Sequence, residues 1–565
     1  MFDELEKAFH LDLDGVYDPA GSRLHNRFSK RFEATSSDVT SRAAIDNFLS
    51  VFSHVSSPKI DLTDLELGDA KDFIMKTLES GCRYIGATYS IDTWPQATFL
   101  PGVLRHPDFL SWGKGKSETG HHTFIVDKLL NNELSITESC LPLVKYIKIF
   151  DSNLWGVLSS KADKISITRG GRITTVPKDQ SIDRTIACEP SINLWFQLAI
   201  GKFISESLRS VGLNIEVQQN INRRYALEGS KFSNQWRDPF CTIDLSSASD
   251  LISLDLVKLL LPPELLQVIL MTRSPEIRID NNWTTLPMVS TMGCGFTFPL
   301  LTLICSALTY AANKHHKGGY LDFKQCAIFG DDIIVRKSVY LDTISVLSRA
   351  GLVVNESKSF CSGLFRESCG FDCYNGIIIS PFYIRSLKTY EDVTIALNQA
   401  LHWSSIHKPL YNVLEYLSSL LPKSKKCKVP YRFLPSEGIL YPTTSCVERH
   451  VVYWKRSTDA KSVFIKDPNL QLFTVLAFGK IGQKKEGVFD YVTRESKAQF
   501  YRVREYFPFS WDLDADSVLK PSMTDYWSYD GKELRPFWDR RAFETIRLTT
   551  TQKKRLCQLV DIVAS

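Results

Sequence analysis

The chain has no internal repeat at solenoid period and no long low-complexity tract, which excludes a stacked-repeat array and a largely disordered polypeptide. It also has no apolar run long enough to cross a bilayer. The most hydrophobic stretch, Phe298 to Ala312, contains Pro299 and several hydroxyl residues and ends at Asn313, Lys314, His315 and His316. A spanning helix needs about 20 apolar residues, so this stretch reads as a buried helix, and no membrane association is expected. Lys and Arg are missing from the opening Met1-Phe-Asp-Glu-Leu-Glu, where an export signal would carry them, so export is not expected. A strong excess of either charge is absent too. Lys+Arg 68 against Asp+Glu 63 leaves +5, which permits a polyanionic partner without demanding one.

What is present fits an ordinary globular protein: 44% hydrophobic and 23% charged residues over 565 positions, enough chain for about three to four domain-sized units. Thirteen cysteines, an odd number, are scattered from Cys82 to Cys557, which suits free thiols in a reducing compartment better than a disulfide framework. Cys369 and Cys373 lie close together but have no second pair at zinc-ligand spacing, so they read as structural. Gly113-Lys-Gly-Lys-Ser117 resembles a phosphate loop until the spacing is checked. A Walker loop needs Gly where Leu110 stands, so this is read as a basic loop, either solvated or touching RNA.

The signals sharpen from about 170 to 385. Phe240 to Leu245 is a short apolar strand, and Leu251 to Leu261 follows with helical spacing until Pro262-Pro263. Ile277 to Leu286 reads as a hairpin turning at Asp280-Asn281-Asn282, ahead of Gly293, Gly295 and the apolar helix. Gln325 to Phe329 and Asp332 to Val335 are strands separated only by Gly330-Asp331, a second hairpin. Leu341, Ile344 and Leu347 mark a helix ending near Gly351, and Leu352 to Asn355 resumes as strand. The order is that of an α+β fold with a split βαβ antiparallel sheet. Further on, helical spacing runs from Ala396 to Leu421. A basic cluster, Lys423 to Lys428, and a tail rich in Trp, Tyr and Phe up to Trp538 follow; these suit stacking on single-stranded nucleic acid or, equally, a solvated loop beside an aromatic core.

Chemistry concentrates on acids. Asp331 and Asp332 are forced together at a tight turn, where like charges invite a cation. Asp244, at the end of an apolar strand, needs a partner because burying a lone carboxylate costs several kcal/mol. If the two strands are neighbours in one sheet, Asp244 and Asp331 meet across it, giving an oxygen cluster suited to hard Mg2+. Two such ions about 3.5–4 Å apart can activate a hydroxyl and stabilise a leaving phosphate, which is nucleotidyl-transfer chemistry.

Five segments carry a resemblance: Thr242-Ile-Asp-Leu-Ser-Ser-Ala-Ser-Asp250, Ser290-Thr-Met-Gly-Cys-Gly-Phe-Thr-Phe298, Phe329-Gly-Asp-Asp-Ile333, Gly363-Leu-Phe-Arg-Glu-Ser-Cys-Gly370 and Pro381-Phe-Tyr-Ile-Arg385. In this order they closely resemble the RNA-directed RNA polymerase subunit of leviviruses, the small positive-strand RNA bacteriophages. Upstream, Thr175-Val-Pro-Lys-Asp179, Asp183-Arg184, Glu189-Pro190, Asn220-Ile-Asn-Arg-Arg224 and Glu228-Gly-Ser230 resemble the same family's fingers region. The resemblance implies a right hand. Residues 1–150 would contribute to fingers, 151–235 form fingers with a basic nucleotide-binding segment, 236–385 the palm, and 386–565 the thumb and C-terminal region.

It also implies roles. Asp244, Asp331 and Asp332 would be the catalytic metal ligands, for Mg2+ with Mn2+ able to substitute. Lys178 and Arg184 would neutralise the incoming triphosphate, Asp250 with Ser290 would sense the ribose 2′-hydroxyl, and Gly293 and Gly295, free to take positive φ, would let the backbone approach the template or nucleotide closely. Lys358 would be a cation for leaving pyrophosphate, or else a solvated lysine. Residue chemistry leaves alternatives: Asp250 could cap the following helix, Ser290 could complete a turn, and Arg184 could pair with Asp183 or Glu189. Phe329 stands where the family commonly has Tyr, and Cys294 where it has Asn; a thiol is a poor donor, so that residue's contact is not carried over. The implied activity is primer-independent copying of RNA from nucleoside triphosphates in the bacterial host cytoplasm. Implied partners are template and product RNA, host elongation factors Tu and Ts and a small-subunit ribosomal protein. A reverse transcriptase shares the palm acids, but Gly330 and the Ser-Ala-Ser-Asp250 segment argue against it.

Overall fold

The computed structural model describes residues 2–13, 18–84, 99–104, 133–151, 165–317, 321–422, 438–441 and 549–564, with short pieces at 109, 118, 155–156, 158–159, 426, 428–430, 462–467, 472–477 and 501–503. The Gly113 to Ser117 loop, most of the Lys423 to Lys428 cluster and nearly all of the aromatic tail lie outside the described residues. The chain divides into two compact units, Met1–Ala34 with Pro381–Ser565, and Thr35–Ser380.

In the first unit the helices Phe2–Leu13, Tyr390–Ile406, Tyr411–Ser419 and Thr550–Ala564 pack together. Sequence spacing predicts one helical stretch from Ala396 to Leu421, and the structure breaks it after Ile406. Pro409 has no N–H to continue the ladder. The second piece is instead started from a distance: the buried Asp12 carboxylate accepts the backbone N–H groups of Asn412 (3.1 Å) and Val413 (2.9 Å), satisfying donors that a helix start leaves free.

The second unit is built on three long helices, Asp64–Tyr84, Ser191–Ser210 and Thr297–Lys317, packed on one another. The apolar run from Phe298 to Ala312 lies in the last of these, with Leu300, Leu303, Ile304, Ala307 and Leu308 fully buried. Among the described residues no helix is long and apolar enough to cross a membrane. A three-stranded antiparallel sheet is ordered Phe240–Ile243, Asp332–Arg336, Ala327–Phe329. A four-stranded sheet is ordered Asp183–Cys188, Gly170–Pro177, Glu276–Ile279, Asn282–Thr285.

Both predicted hairpins form. In the four-stranded sheet Ile279 faces Asn282, with Asp280 and Asn281 at positive φ between them, the two-residue turn whose twist matches that of the strands. The predicted helix from Leu251 starts later, as Leu254–Leu260, because Ser253 is its N-cap and accepts the Leu256 N–H at 3.0 Å. Ahead of it the chain is extended against Pro287–Val289, with Val289 N–H donating to the Ile252 carbonyl at 2.9 Å.

Candidate active site

The acids are placed by backbone pairing. Ile243 faces Ile333, so the next step along the register sets Asp244 opposite Asp332 at the end of the sheet, and not opposite Asp331 as the sequence suggests, because Asp331 belongs to the turn. Asp332 faces Phe329 on its other side, leaving Gly330 and Asp331 as a two-residue turn. Gly330 has φ +62, and a Cβ there would lie 2.5 Å from the Phe298 ring, so only glycine fits. Its N–H donates to Thr302 Oγ1 at 3.1 Å, which ties the turn to the long apolar helix. Phe329 meets Phe298 edge to face at 4.7 Å, so the aromatic packing survives without a tyrosine hydroxyl.

The three carboxylates act on one another. Burial pushes Asp332 up to about 7 against the Cys369 backbone N–H, and the charges of Asp331 and Asp244 push the same way. Asp331 is likewise raised by burial and by Asp244, with Lys358 and Arg184 pulling it back. Burial and neighbouring like charge disfavour the ionised forms of Asp331 and Asp332, which makes a site that a cation would relieve.

The side chains have other partners as they stand. Asp244 Oδ2 accepts from Asn355 Nδ2 at 2.9 Å and lies 3.7 Å from Lys358 Nζ, while Asp332 Oδ1 accepts from the Cys369 N–H at 2.8 Å and Ser368 Oγ at 3.2 Å. Among the described residues no three His, Cys, Asp or Glu side chains are grouped to hold a metal ion. The donor set itself, three carboxylates at adjacent register positions, fits a hard divalent cation.

The predicted cations are placed differently. Lys358 is half exposed and paired with Asp244. Arg184 lies on the strand Asp183–Cys188 opposite Val176, exposed, and its charge reaches Asp331. Neither alternative partner pairs with Arg184 among the described residues: Asp183 Oδ2 accepts from Thr40 Oγ1 and Ser41 Oγ at 3.1 and 3.0 Å, and Glu189 accepts from Gln197 and Ser274. Lys178 sits at the exposed tip of the same hairpin, its N–H bonded to the Ile182 carbonyl.

Asp250 and the loop after Ser290 come together, since the Asp250 carboxylate accepts the Met292 N–H as well as the Ser249 hydroxyl. Burial still pushes Asp250 up to about 6. It is not a helix cap, because Ser253 fills that position. The Ser290 and Thr291 hydroxyls are buried and, among the described residues, have no hydrogen-bond partner. Gly293, at φ +118, sits so close to the Ala187 carbonyl that a Cβ would meet it at 2.1 Å. Gly295 is similarly close to Gln197 and Leu198. Both glycines therefore have a packing reason inside the protein.

Sequence reasoning missed the groups that hold these parts. Buried Gln197 accepts the Gly295 N–H at 3.1 Å and donates to buried Glu189 at 2.9 Å. Buried Arg273 donates to the carbonyls of Val289, Leu286 and Met288 at 2.9–3.0 Å. Cys294 is buried on the same side, its thiol pushed up by that burial and by Glu189. Nothing local in the sequence marks Gln197 or Arg273. Asn355 and Ser359, whose hydroxyl accepts the Asp244 N–H at 3.1 Å, flank Lys358 and were within reach of the same spacing.

Known proteins resemble this chain along that region. The RNA-directed RNA polymerase beta subunit of Escherichia virus Qbeta is 35% identical over 54% of this chain and 49% of its own length. That of Qbeta virus (strain MX1) is 40% identical over 54% and 49%, and the polymerase beta chain of Escherichia phage MS2 33% identical over 64% of each. The chain thus spans about half to two thirds of the curated relatives it matches. The crystal structure of a human picorbirnavirus RNA-dependent RNA polymerase aligns over 72% of this chain and 88% of its own at 15% identity, with a TM-score of only 0.35. The model of the RNA replicase, beta-chain, family matches residues 102–487, and the chain belongs to that family.

Proposed function

We propose that this chain is the catalytic subunit of a phage RNA replicase, an RNA-directed RNA polymerase that copies RNA from nucleoside triphosphates by metal-dependent nucleotidyl transfer. The observation that carries the reading is the register that sets Asp244 beside Asp332 with Asp331 in the adjoining turn. Asp244, Asp331 and Asp332 would hold Mg2+, or Mn2+ in its place. When bound, the metal supplies activation of the attacking 3′-hydroxyl and charge neutralisation at the leaving phosphate. Around it, Arg184 and Lys178 neutralise the triphosphate, and Lys358 leaves Asp244 to meet the leaving pyrophosphate. Asn355 and Ser359 keep the Asp244 segment in place when that ion pair opens.

Asp250 and Ser290 read the ribose. A 2′-hydroxyl gives the orphaned Ser290 oxygen a partner, and a deoxynucleotide leaves it buried and unsatisfied. Gly293 and Gly295 seat that loop. In this reading residues 236–385 are the palm of a right hand with a split βαβ sheet, 1–150 and 151–235 its fingers and 386–565 its thumb and C-terminal region. The enzyme initiates without a primer and works in the host cytoplasm, in a holoenzyme with elongation factors Tu and Ts and a small-subunit ribosomal protein.

The test is incorporation of labelled ribonucleotide on an RNA template by purified protein, with and without those host factors. Template-dependent product is expected at least in the assembled holoenzyme; no product in either condition overturns the reading.

A further inference from the structure

On its side away from Asp332, the strand Phe240–Ile243 meets a second segment. Thr242 N–H donates to the Phe360 carbonyl at 3.0 Å, and Phe360 N–H returns a bond to the Thr242 carbonyl at 2.8 Å. In an antiparallel pair the neighbouring positions then face each other without backbone hydrogen bonds, the closer of the two pair types, with Cα atoms about 4.5 Å apart. Those positions are Cys241 and Cys361. Such a separation falls within the range that a disulfide spans, about 4.4–6.8 Å. Both are free thiols, Cys241 Sγ lies 2.7 Å from Cys361 Sγ, and Cys241 is buried while Cys361 is partly exposed.

The surroundings favour a thiolate. Arg366 is fully buried, and among the described residues its guanidinium donates only to carbonyls, including Phe240 at 2.8 Å and Cys361 at 2.9 Å. Among the described residues no carboxylate pairs with it; the ionisable groups it feels are Cys241, Cys361 and Tyr340. The Cys241 S–H bond, with Arg366 and Lys337, holds the Cys361 thiol below its ordinary value despite burial and the opposing Asp238. Burial instead pushes the Cys140, Cys305 and Cys373 thiols up.

We propose that Cys241 and Cys361 are a peroxide-oxidisable dithiol whose disulfide staples the strand leading to Asp244 to the segment carrying Lys358. The Cys361 thiolate attacks one peroxide oxygen, the O–O bond breaks, and Cys361 becomes a sulfenic acid as hydroxide leaves and takes up the thiol proton to give water. Cys241 sulfur then attacks the sulfenic sulfur, and the hydroxyl leaves with the Cys241 proton as a second water. The two sulfurs lose two electrons and hydrogen peroxide gains them. The thiolate is the attacking form, so the partly exposed Cys361 reacts and the buried Cys241 resolves.

The test treats the full chain with equimolar hydrogen peroxide, blocks remaining thiols by alkylation and maps peptides by mass spectrometry. The Cys241–Cys361 cross-linked peptides are expected about tenfold sooner than oxidation of any other cysteine, and dithiothreitol should restore both thiols. In Cys241→Ser the sulfenic acid should persist at Cys361, trappable by dimedone. Both cysteines remaining alkylatable while others oxidise, or Cys361 joining a different cysteine, overturns the proposal. Amide exchange at Thr242 and Phe360 should slow in the oxidised wild-type protein, and unchanged exchange overturns the stapling. None of these readouts depends on polymerisation, so their failure is separable from failure of the polymerase reading.

Discussion

The acids at the sheet end and the loop from Ser290 to Gly295 are held by different means. Asp244, Asp331 and Asp332 are set by a backbone ladder and a two-residue turn, so their neighbours in space follow from the strand and turn pattern of the sequence. The loop is held by buried side chains from elsewhere, Gln197 on Gly295, Arg273 on the three carbonyls just before Ser290, and Asp250 on Met292. A ladder survives many side-chain changes, whereas a loop hung on single side chains fails when one is removed. The two regions should therefore respond differently to substitution: the acids in chemistry alone, the loop in stability and selectivity.

The largest effect is expected at the turn. Asp331→Asn removes charge without removing packing, and incorporation of labelled nucleotide should fall by at least roughly 10²-fold, as when one preorganised electrostatic group is lost, with no fall in melting temperature because the ionised carboxylate is disfavoured where it stands. Substituting a loop support reverses that pattern. Arg273→Met leaves three buried carbonyls without their donor and should lower unfolding stability by about 3 kcal/mol in denaturant titration, since each unsatisfied buried group costs roughly 1–3 kcal/mol. A stable Arg273→Met protein would break the contrast between the two regions.

Asp250 sharpens it through pH. Its folded-state value is raised to about 6 from 3.8, so the folded protein holds the proton more tightly than the unfolded chain. Stability is therefore lost as pH rises from about 4 through 6, by at most about 3 kcal/mol. Asp250→Asn should be the more stable protein at pH 7, with the gap closing below pH 4, as thermal melts across that range would show. The same variant should lower the preference for ribonucleotides over deoxyribonucleotides. An unchanged ratio would retire the sugar-reading role.

Arg184→Ala should raise the apparent nucleotide requirement about tenfold, the loss of ~1.4 kcal/mol of binding, read from incorporation against nucleotide concentration. Smallest of all, Lys358→Met should shift stability by under about 1 kcal/mol, because Lys358 is half exposed and its contact with Asp244 is long, at 3.7 Å. A drop in incorporation rate on that background would be the signature of a leaving-group role.

The legibility of the sequence follows the same division. The hairpins at Gly330-Asp331 and Asp280-Asn281 were readable because a two-residue turn between apolar runs has few other solutions. The buried helix of Phe298 to Ala312 was readable from its composition. The start of the helix after Asp250 was misplaced, since leucine spacing begins at Leu251 while the backbone is already committed to pairing with Pro287–Val289 and Ser253 supplies the cap. The break before Tyr411 and its cap from Asp12, 400 residues away, could not be read from any local pattern. Gln197 and Arg273 escaped for the same reason, because a buried polar residue acquires its role only from the distant backbone it meets. Gly293 and Gly295 were noticed for their freedom near a nucleotide, and the structure adds that Ala187 and Gln197 already crowd them.

Whether Asp244, Asp331 and Asp332 make one divalent-cation site is tested by direct ion binding, without relying on turnover. Free Mn2+ can be followed by electron paramagnetic resonance as it is titrated into wild-type protein and into the variant with all three acids changed to Asn. The wild-type chain is expected to hold at least one ion more than the variant, and Mg2+ to displace it. Equal occupancy in two equally folded proteins would contradict the shared site.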